Sequence, residues 1–378
     1  MPRSPEGPGP GWQIGQVRGT PIYLGRSWPI IAVLIIFLFG PQVQDALPQL
    51  SALEAKLVAV GYALLLLFSV VVHEASHAVV GQWRGYQVHR IVADLWGGHT
   101  SYNTADTTPL SSALVAAAGP LSNGILAGLG YLLLQATDGG VTGLLVLVFI
   151  WTNSFVAIFN LLPGLPLDGG FLLDSLVWRI TGSRSSGLRV AGWTGRVLAV
   201  LVVVGGAGQG LLRGGRPDLF TLLWALLIAG FLWAGATNAI SRATSSDVIA
   251  KVTVRQLLRR VTSVPSGTAL SRLQGDGDVV VVGADGVAWG LASAADRSVV
   301  PGRPGAAVPV DAVARRQPPG WSISIGSVDD DCTELIAAVQ SSPQQPEHLL
   351  VSQRGGPLLG VVRTADLGNA LQAASGKG

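Results

Sequence analysis

Residues 57 to 72 contain no charged side chain, and the run leads straight into Val71-Val72-His73-Glu74-Ala75-Ser76-His77-Ala78. A helix continuing from it carries a carboxylate and two imidazoles into or beside hydrocarbon, where such groups are costly and tied to a purpose. Unpartnered, they would be buried at a cost of several kcal/mol each. The chain must therefore fold around whatever these groups hold.

Helix geometry says what that is. His73 and His77 are four residues apart, so they project from one face, one turn above the other, and both reach one ion. Glu74 points beside the ion, where it can take a proton from a bound water. This is the HExxH arrangement of a zinc peptidase.

The surroundings are those of a membrane protein with a soluble part: 49% of the 378 residues are hydrophobic and 12% charged, against roughly 25% charged in ordinary soluble domains. Apolar windows of about 20 residues fall near 28–47, 57–80, 110–134, 141–162, 191–209 and 219–238. Six spans follow, with 1–27 as a cytoplasmic N-terminal segment and no cleaved signal peptide. The formal charge of +3 is small and dispersed, which argues against nucleic acid as a partner. A single cysteine, Cys332, excludes internal disulfides and any zinc site built on two cysteines.

Most arginines lie in the N-terminal segment, the 81–109 and 163–190 loops and the region after 240, while the opposite loops carry only Lys56, Arg213 and Arg216. The positive-inside rule then places both termini and the HExxH end of the second span toward the cytoplasm of a multi-pass cell-membrane protein. Between spans two and three, 87–102 reads as a short β-hairpin, with Val88, Ile91, Val92 and Leu95 apolar and Gly97-Gly98 as its turn. Its edge is suited to pairing with an extended peptide, and a plain cytoplasmic loop is the alternative. Beyond span six, 241–250 reads as a linker and 251–375 as a soluble α/β domain. Within that domain, Asp278 to Asp296 and Glu347 to Asp366 repeat one pattern of strand, turn, strand and helix start.

A catalytic zinc site usually takes three protein ligands. His89, His99, Asp94 and Asp168 are the candidates for the third. Asp168 is favoured because Pro163 and Pro166 break the helix before it, letting a carboxylate turn inward. His89 and His99 read as surface or substrate-contact residues. Asn123 and Asn153 read as structural, since buried amides in lipid serve as interhelical glue.

These motifs resemble the site-2 protease family of intramembrane zinc metalloproteases. The resemblance rests on His73-Glu74-Ala-Ser-His77, Gly97-Gly98, Gly119-Pro120-Leu-Ser-Asn123 and Asn160-x-x-Pro163-x-x-Pro166-Leu-Asp168-Gly169, and it covers about residues 15 to 240. It implies a polytopic α-helical membrane protein of about six transmembrane helices, spanning 28–240, with a short membrane-associated β-hairpin. It implies one Zn2+ on His73, His77 and Asp168, with Glu74 activating water and Asn160 meeting substrate or the developing oxyanion. Gly97 and Gly98 would hold substrate. The implied substrates are transmembrane proteins in the lipid bilayer: a membrane-bound anti-sigma factor, a sigma-factor precursor or a signal peptide.

The C-terminal repeats resemble the two cystathionine-β-synthase (CBS) modules of one branch of that family, which implies a paired CBS domain, an adenine nucleotide and a homodimer through the modules. Gly290-Leu-Ala-Ser293-Ala-Ala-Asp296 fits the nucleotide signature through Ser293 and Asp296. The second copy keeps Asp366 but has Arg363 at the hydroxyl position. The alternatives are an inactive membrane scaffold that senses nucleotide, a transporter with CBS-type regulation, and a soluble-site peptidase with a later glutamate ligand. Glu334 and Glu347 are the only glutamates downstream, both in the repeat domain.

Overall fold

The computed structural model describes residues 11–94, 97–103, 107–212, 218–273, 275–298 and 308–376, with backbone alone at 94, 97–103 and 209–212. The chain divides into a unit of residues 1–243 and a unit of residues 244–378.

The first unit opens with a hairpin, β1 (Gly11–Val17) and β2 (Thr20–Gly25), followed by helices α1 (Trp28–Ala46) and α2 (Ala52–Trp83). Then come β3 (Gln87–Asp94), β4 (Gly97–Asn103), α3 (Pro109–Leu134), α4 (Gly140–Asn160), α5 (Asp168–Thr181), α6 (Arg184–Leu212) and α7 (Leu219–Ala250). Six helices, all but α5, are long and apolar enough to cross a membrane, matching the six expected windows. Their outward faces expose Phe37, Leu132, Trp151 and Ile158, as a lipid-facing surface requires. Helix α2 starts where a capping box forms: Ser51 Oγ accepts from Glu54 N–H at 3.3 Å while Glu54 Oε2 accepts from Ser51 N–H at 2.8 Å. At 32 residues it runs about 48 Å, so its HExxH turn lies near one end.

Three sequence expectations change here. The N-terminal segment is not a plain tail: β2 pairs parallel with β3 (Ile22↔Ile91), making a four-stranded sheet β1-β2-β3-β4 in place of an isolated hairpin. Gly97 and Gly98 are not the turn but the first residues of β4, opposite Asp94 and Ala93; residues 95–96, Leu95 among them, lie outside the described residues. The expected linker 241–250 is helical, the end of α7.

The sheet docks on α2. Ile22 and Ile91 pack with Ala78, Val71 and Ala75, a stripe at i, i+4 and i+7. At about 100° per residue, His73 and His77 lie on roughly the opposite side of α2, and Glu74 falls between the two faces.

The segment after α4 explains how a carboxylate reaches the histidines. Pro163 and Pro166 end the helix, and Leu165 buries between α6 and α7 with Ala191 and Ala239, its N–H bonded to Ala191 O at 3.0 Å. Glycines make room: a Cβ on Gly195 would strike the Leu165 carbonyl, and one on Gly235 would lie 2.5 Å from the Pro166 ring. The chain then turns into α5, whose first residue is Asp168. This 14-residue helix occupies what reads in sequence as a loop.

The second unit bears out the strand-turn-strand-helix repeat. After a short helix α8 (Val254–Leu257), β5 (Thr262–Pro265), β6 (Val279–Val282), β7 (Ala288–Ala292) and α9 (Ala294–Ser298) form one copy, followed by β8 (Arg315–Arg316). The second copy is β9 (Ser322–Ile325), α10 (Thr333–Ser341), β10 (His348–Gln353), β11 (Leu358–Arg363) and α11 (Thr364–Ala374). In each, the first strand is parallel to the second and the second antiparallel to the third. β8 pairs with β7, and Arg259, ahead of β5, pairs with Val361 of β11. Each copy thus lends its leading segment to the other.

Candidate metal centre

His73, Glu74 and His77 are all buried on α2, their donor atoms within 4.8 Å of one another. Asp168 Oδ2 lies 3.1 Å from His73 Nε2 and 3.4 Å from His77 Nε2, and the two Nε2 atoms are 3.1 Å apart. A tetrahedral zinc with ligand distances near 2.0–2.1 Å separates its donors by about 3.3 Å, so this triangle has the right edge length. Asp168 Oδ2 is buried without a hydrogen bond, as an atom reserved for a metal would be. Among the described side chains of the four third-ligand candidates, Asp168 is the one brought to the histidines. His89 is exposed on β3, and the side chains of Asp94 and His99 lie outside the described residues.

Gly119 of α3 closes the centre. A Cβ there would lie 2.6 Å from His73 Nε2 and closer still to His77 Nε2, in the space an ion needs. The imidazoles are held from behind: His77 Nδ1 is 2.6 Å from Val115 O, and His73 Nδ1 is 2.5 Å from Asn123 Oδ1. Such contacts fix ring orientation and leave Nε2 for the metal. Asn123 is therefore more than the interhelical glue expected of it. Spacing held one signal, since Asn123 follows Gly119 by one helical turn on the same span. Asn160 ends α4, half-buried, with its amide nitrogen donating to Val156 O at 3.1 Å.

The family model for peptidase family M50 matches residues 61–142 and 135–205, stretches that contain every residue of this centre. Residues 61–205 of the chain therefore resemble that family. With the relatives below, this match makes the chain a zinc metalloprotease, and six of its helices are long and apolar enough to cross a membrane. A Synechocystis protein named as a zinc metalloprotease, sll0528, is 29% identical over 379 residues, 96% of either chain. Rip3 of Mycobacterium tuberculosis, also named as a zinc metalloprotease, is 28% identical over 247 residues, 64% of this chain and 61% of its own. The solved site-2 protease from Methanocaldococcus jannaschii aligns with 61% of this chain and 94% of its own at 22% identity, TM-score 0.43. The donor set of the chain, two neutral-capable imidazoles and a carboxylate around a cradle kept clear by Gly119, fits zinc.

In the second unit the two signature carboxylates have partners already. Arg315 Nη2 and Nε reach Asp296 Oδ1 at 2.7 and 3.1 Å, and Arg259 Nη2 and Nε reach Asp366 Oδ2 at 2.7 and 3.1 Å. Ser293 Oγ also donates to Asp296 Oδ2 at 2.6 Å. The Ser293 hydroxyl, then the Arg315 guanidinium, hold the Asp296 carboxyl below the usual carboxylate range. In the second copy Thr364, beside Arg363, turns its hydroxyl to Glu347 O at 3.1 Å.

Proposed function

We propose that the chain hydrolyses a peptide bond inside a transmembrane segment of another membrane protein, toward the cytoplasmic face. The observation that carries this is the gathering of His73, His77 and Asp168 donor atoms within 3.4 Å among helices whose outer faces are apolar. Zinc held by these three groups supplies the Lewis acidity that activates water and the scissile carbonyl. Glu74 takes the water's proton and returns it to the leaving amine. Asn160, once its amide turns from Val156 O, donates to the developing oxyanion.

A helical substrate hides its carbonyls in hydrogen bonds and must unwind before attack. Among the described residues β4 pairs with β3 alone, so its outer edge, beginning at Gly97-Gly98, is the natural clamp for an unwound strand. Glu74, between the sheet face and the histidine face of α2, is placed to serve both. Membrane-anchored anti-sigma factors, sigma-factor precursors and residual signal peptides are the substrate classes we favour.

The test uses the full chain in liposomes with a reporter transmembrane segment. Replacing Gly, Pro or Asn near the cut by leucine should slow cleavage by about tenfold or more, one decade for each ~1.4 kcal/mol of added helix stability. An unchanged rate across that series sinks the strand-clamp reading, and chelator-resistant cleavage sinks the metal reading.

We propose further that residues 251–375 are a paired CBS module that tunes proteolysis through an adenine nucleotide, and that a ribose must displace a guanidinium from Asp296 or Asp366 to bind. Exposed ion pairs are worth about 0–1 kcal/mol. Arg315→Ala should therefore tighten AMP or ATP binding by up to about fivefold, read by calorimetry. Weaker binding in that variant would make Arg315 a phosphate ligand instead.

A further inference from the structure

Behind His73 stands a chain of buried hydrogen bonds that crosses three helices. Asn123 Nδ2 of α3 donates to Asn153 Oδ1 of α4 at 2.7 Å. Asn153 Nδ2 donates to Phe149 O at 2.9 Å and to Ser69 Oγ of α2 at 3.0 Å. Ser69 Oγ donates to Leu65 O at 2.8 Å. Ser69, Asn123 and Asn153 have no exposed surface, so no water substitutes for any link. The circuit closes on the helix where it began, because Ser69 precedes His73 by one turn.

The direction of every donor follows from the far end. Leu65 O and Phe149 O can only accept. Ser69 must spend its proton on Leu65 O and so accepts from Asn153. Asn153 must spend both amide hydrogens, on Phe149 O and Ser69, so its oxygen faces Asn123. Asn123 then presents N–H to Asn153 and its oxygen to His73 Nδ1, which must carry a proton. An imidazole protonated on Nδ1 and neutral has its lone pair on Nε2, the atom 3.1 Å from Asp168 Oδ2. His77 obtains the same lock from the Val115 backbone carbonyl, which no substitution deletes. His73 depends on side chains.

We infer that Asn123, oriented by Asn153 and Ser69, is a positioning residue that locks His73 in the Nδ1–H tautomer and delivers its Nε2 lone pair to zinc. Interhelical glue alone makes a different forecast, and aspartate separates the two. Asn123→Asp keeps an acceptor for Nδ1–H but loses the hydrogen bond to Asn153, whereas Asn123→Leu loses both. A structural role damages the two variants alike; a tautomer lock spares aspartate.

The experiment measures zinc affinity of the full chain in detergent by chelator competition, the absorption spectrum of the Co2+-substituted protein, and the melting temperature without metal. Asn123→Leu should weaken zinc about 10–100-fold, while Asn123→Asp stays within about threefold of the parent and keeps its Co2+ spectrum. Asn153→Leu should fall between them, and Ser69→Ala should cost least, in the order of the number of hydrogen bonds that separate each from His73 along the circuit. Should Asn123→Leu fail to fold, the aspartate variant and the Asn153 and Ser69 variants still decide the matter. The inference is overturned if a folded Asn123→Leu holds zinc within about twofold of the parent, if aspartate loses zinc as leucine does, or if the graded order is absent.

Discussion

A Glu74→Gln chain is expected to keep its zinc and lose cleavage by a factor of about 10²–10⁴, the range that a positioned general base supplies. Glutamine has the shape of glutamate, so the buried α2 turn loses no packing. The three donor atoms of the centre come from His73, His77 and Asp168, so metal content should be indifferent to the change. Single-turnover cleavage of a reporter segment and metal analysis of the same sample read the two quantities together. Cleavage within about tenfold of the parent would remove Glu74 from the role of base. Lost zinc would instead make it a ligand, which its 4.8 Å proximity to the histidine donors makes a fair contest.

The second large effect needs one methyl group. Gly119→Ala is expected to abolish zinc binding and activity together, because its Cβ would lie 2.6 Å from His73 Nε2 and nearer to His77 Nε2. A zinc ion needs that space at about 2.0–2.1 Å from each nitrogen. The neighbouring atoms cannot yield easily: His77 is tied to Val115 O and His73 to Asn123, and Gly119 is followed at once by Pro120 inside α3. Gly128→Ala is the control on the same helix. Its Cβ meets nothing within 4 Å, so zinc content and cleavage should match the parent, and helix propensity alone favours the change by roughly 0.5–1 kcal/mol. A Gly119→Ala chain that binds zinc with parental affinity would mean that α3 stands farther from α2 than described.

The sequence made part of this centre legible and concealed the rest for definite reasons. His73 and His77 are close in the chain, so helical periodicity alone aligns them. Asp168 lies 91 residues beyond His77, yet the two prolines before it mark where a carboxylate could leave a helix. Gly119 gave no physical signal in sequence, because what it avoids is a side chain on another helix. Asn123 was visible as a buried amide, but an amide in lipid is satisfied by any polar neighbour, and only geometry shows that the neighbour is His73. Helix α5 is short and carries Asp168, Asp174 and Arg179, so a search for about 20 apolar residues passes over it. Strands β1 and β2 escaped notice because β2 finds its partner β3 across both α1 and α2. Gly97-Gly98 reads as a turn because such a dipeptide usually is one; here the partner strand extends far enough to pair with it.

The strand order has a practical consequence. The hairpin of residues 11–25 is what keeps β3 from being an edge. A chain started at residue 28 would present open backbone on both sides of the β3–β4 pair, and unprotected edges recruit stray strands. Such a shortened chain would expose β3, the strand next to β4, in place of β1 as the second edge, and would be prone to sticking to its own copies. The small N-terminal ribbon therefore serves as a guard rail, keeping β3 paired and moving the sheet's second edge out to β1, on the far side from β4.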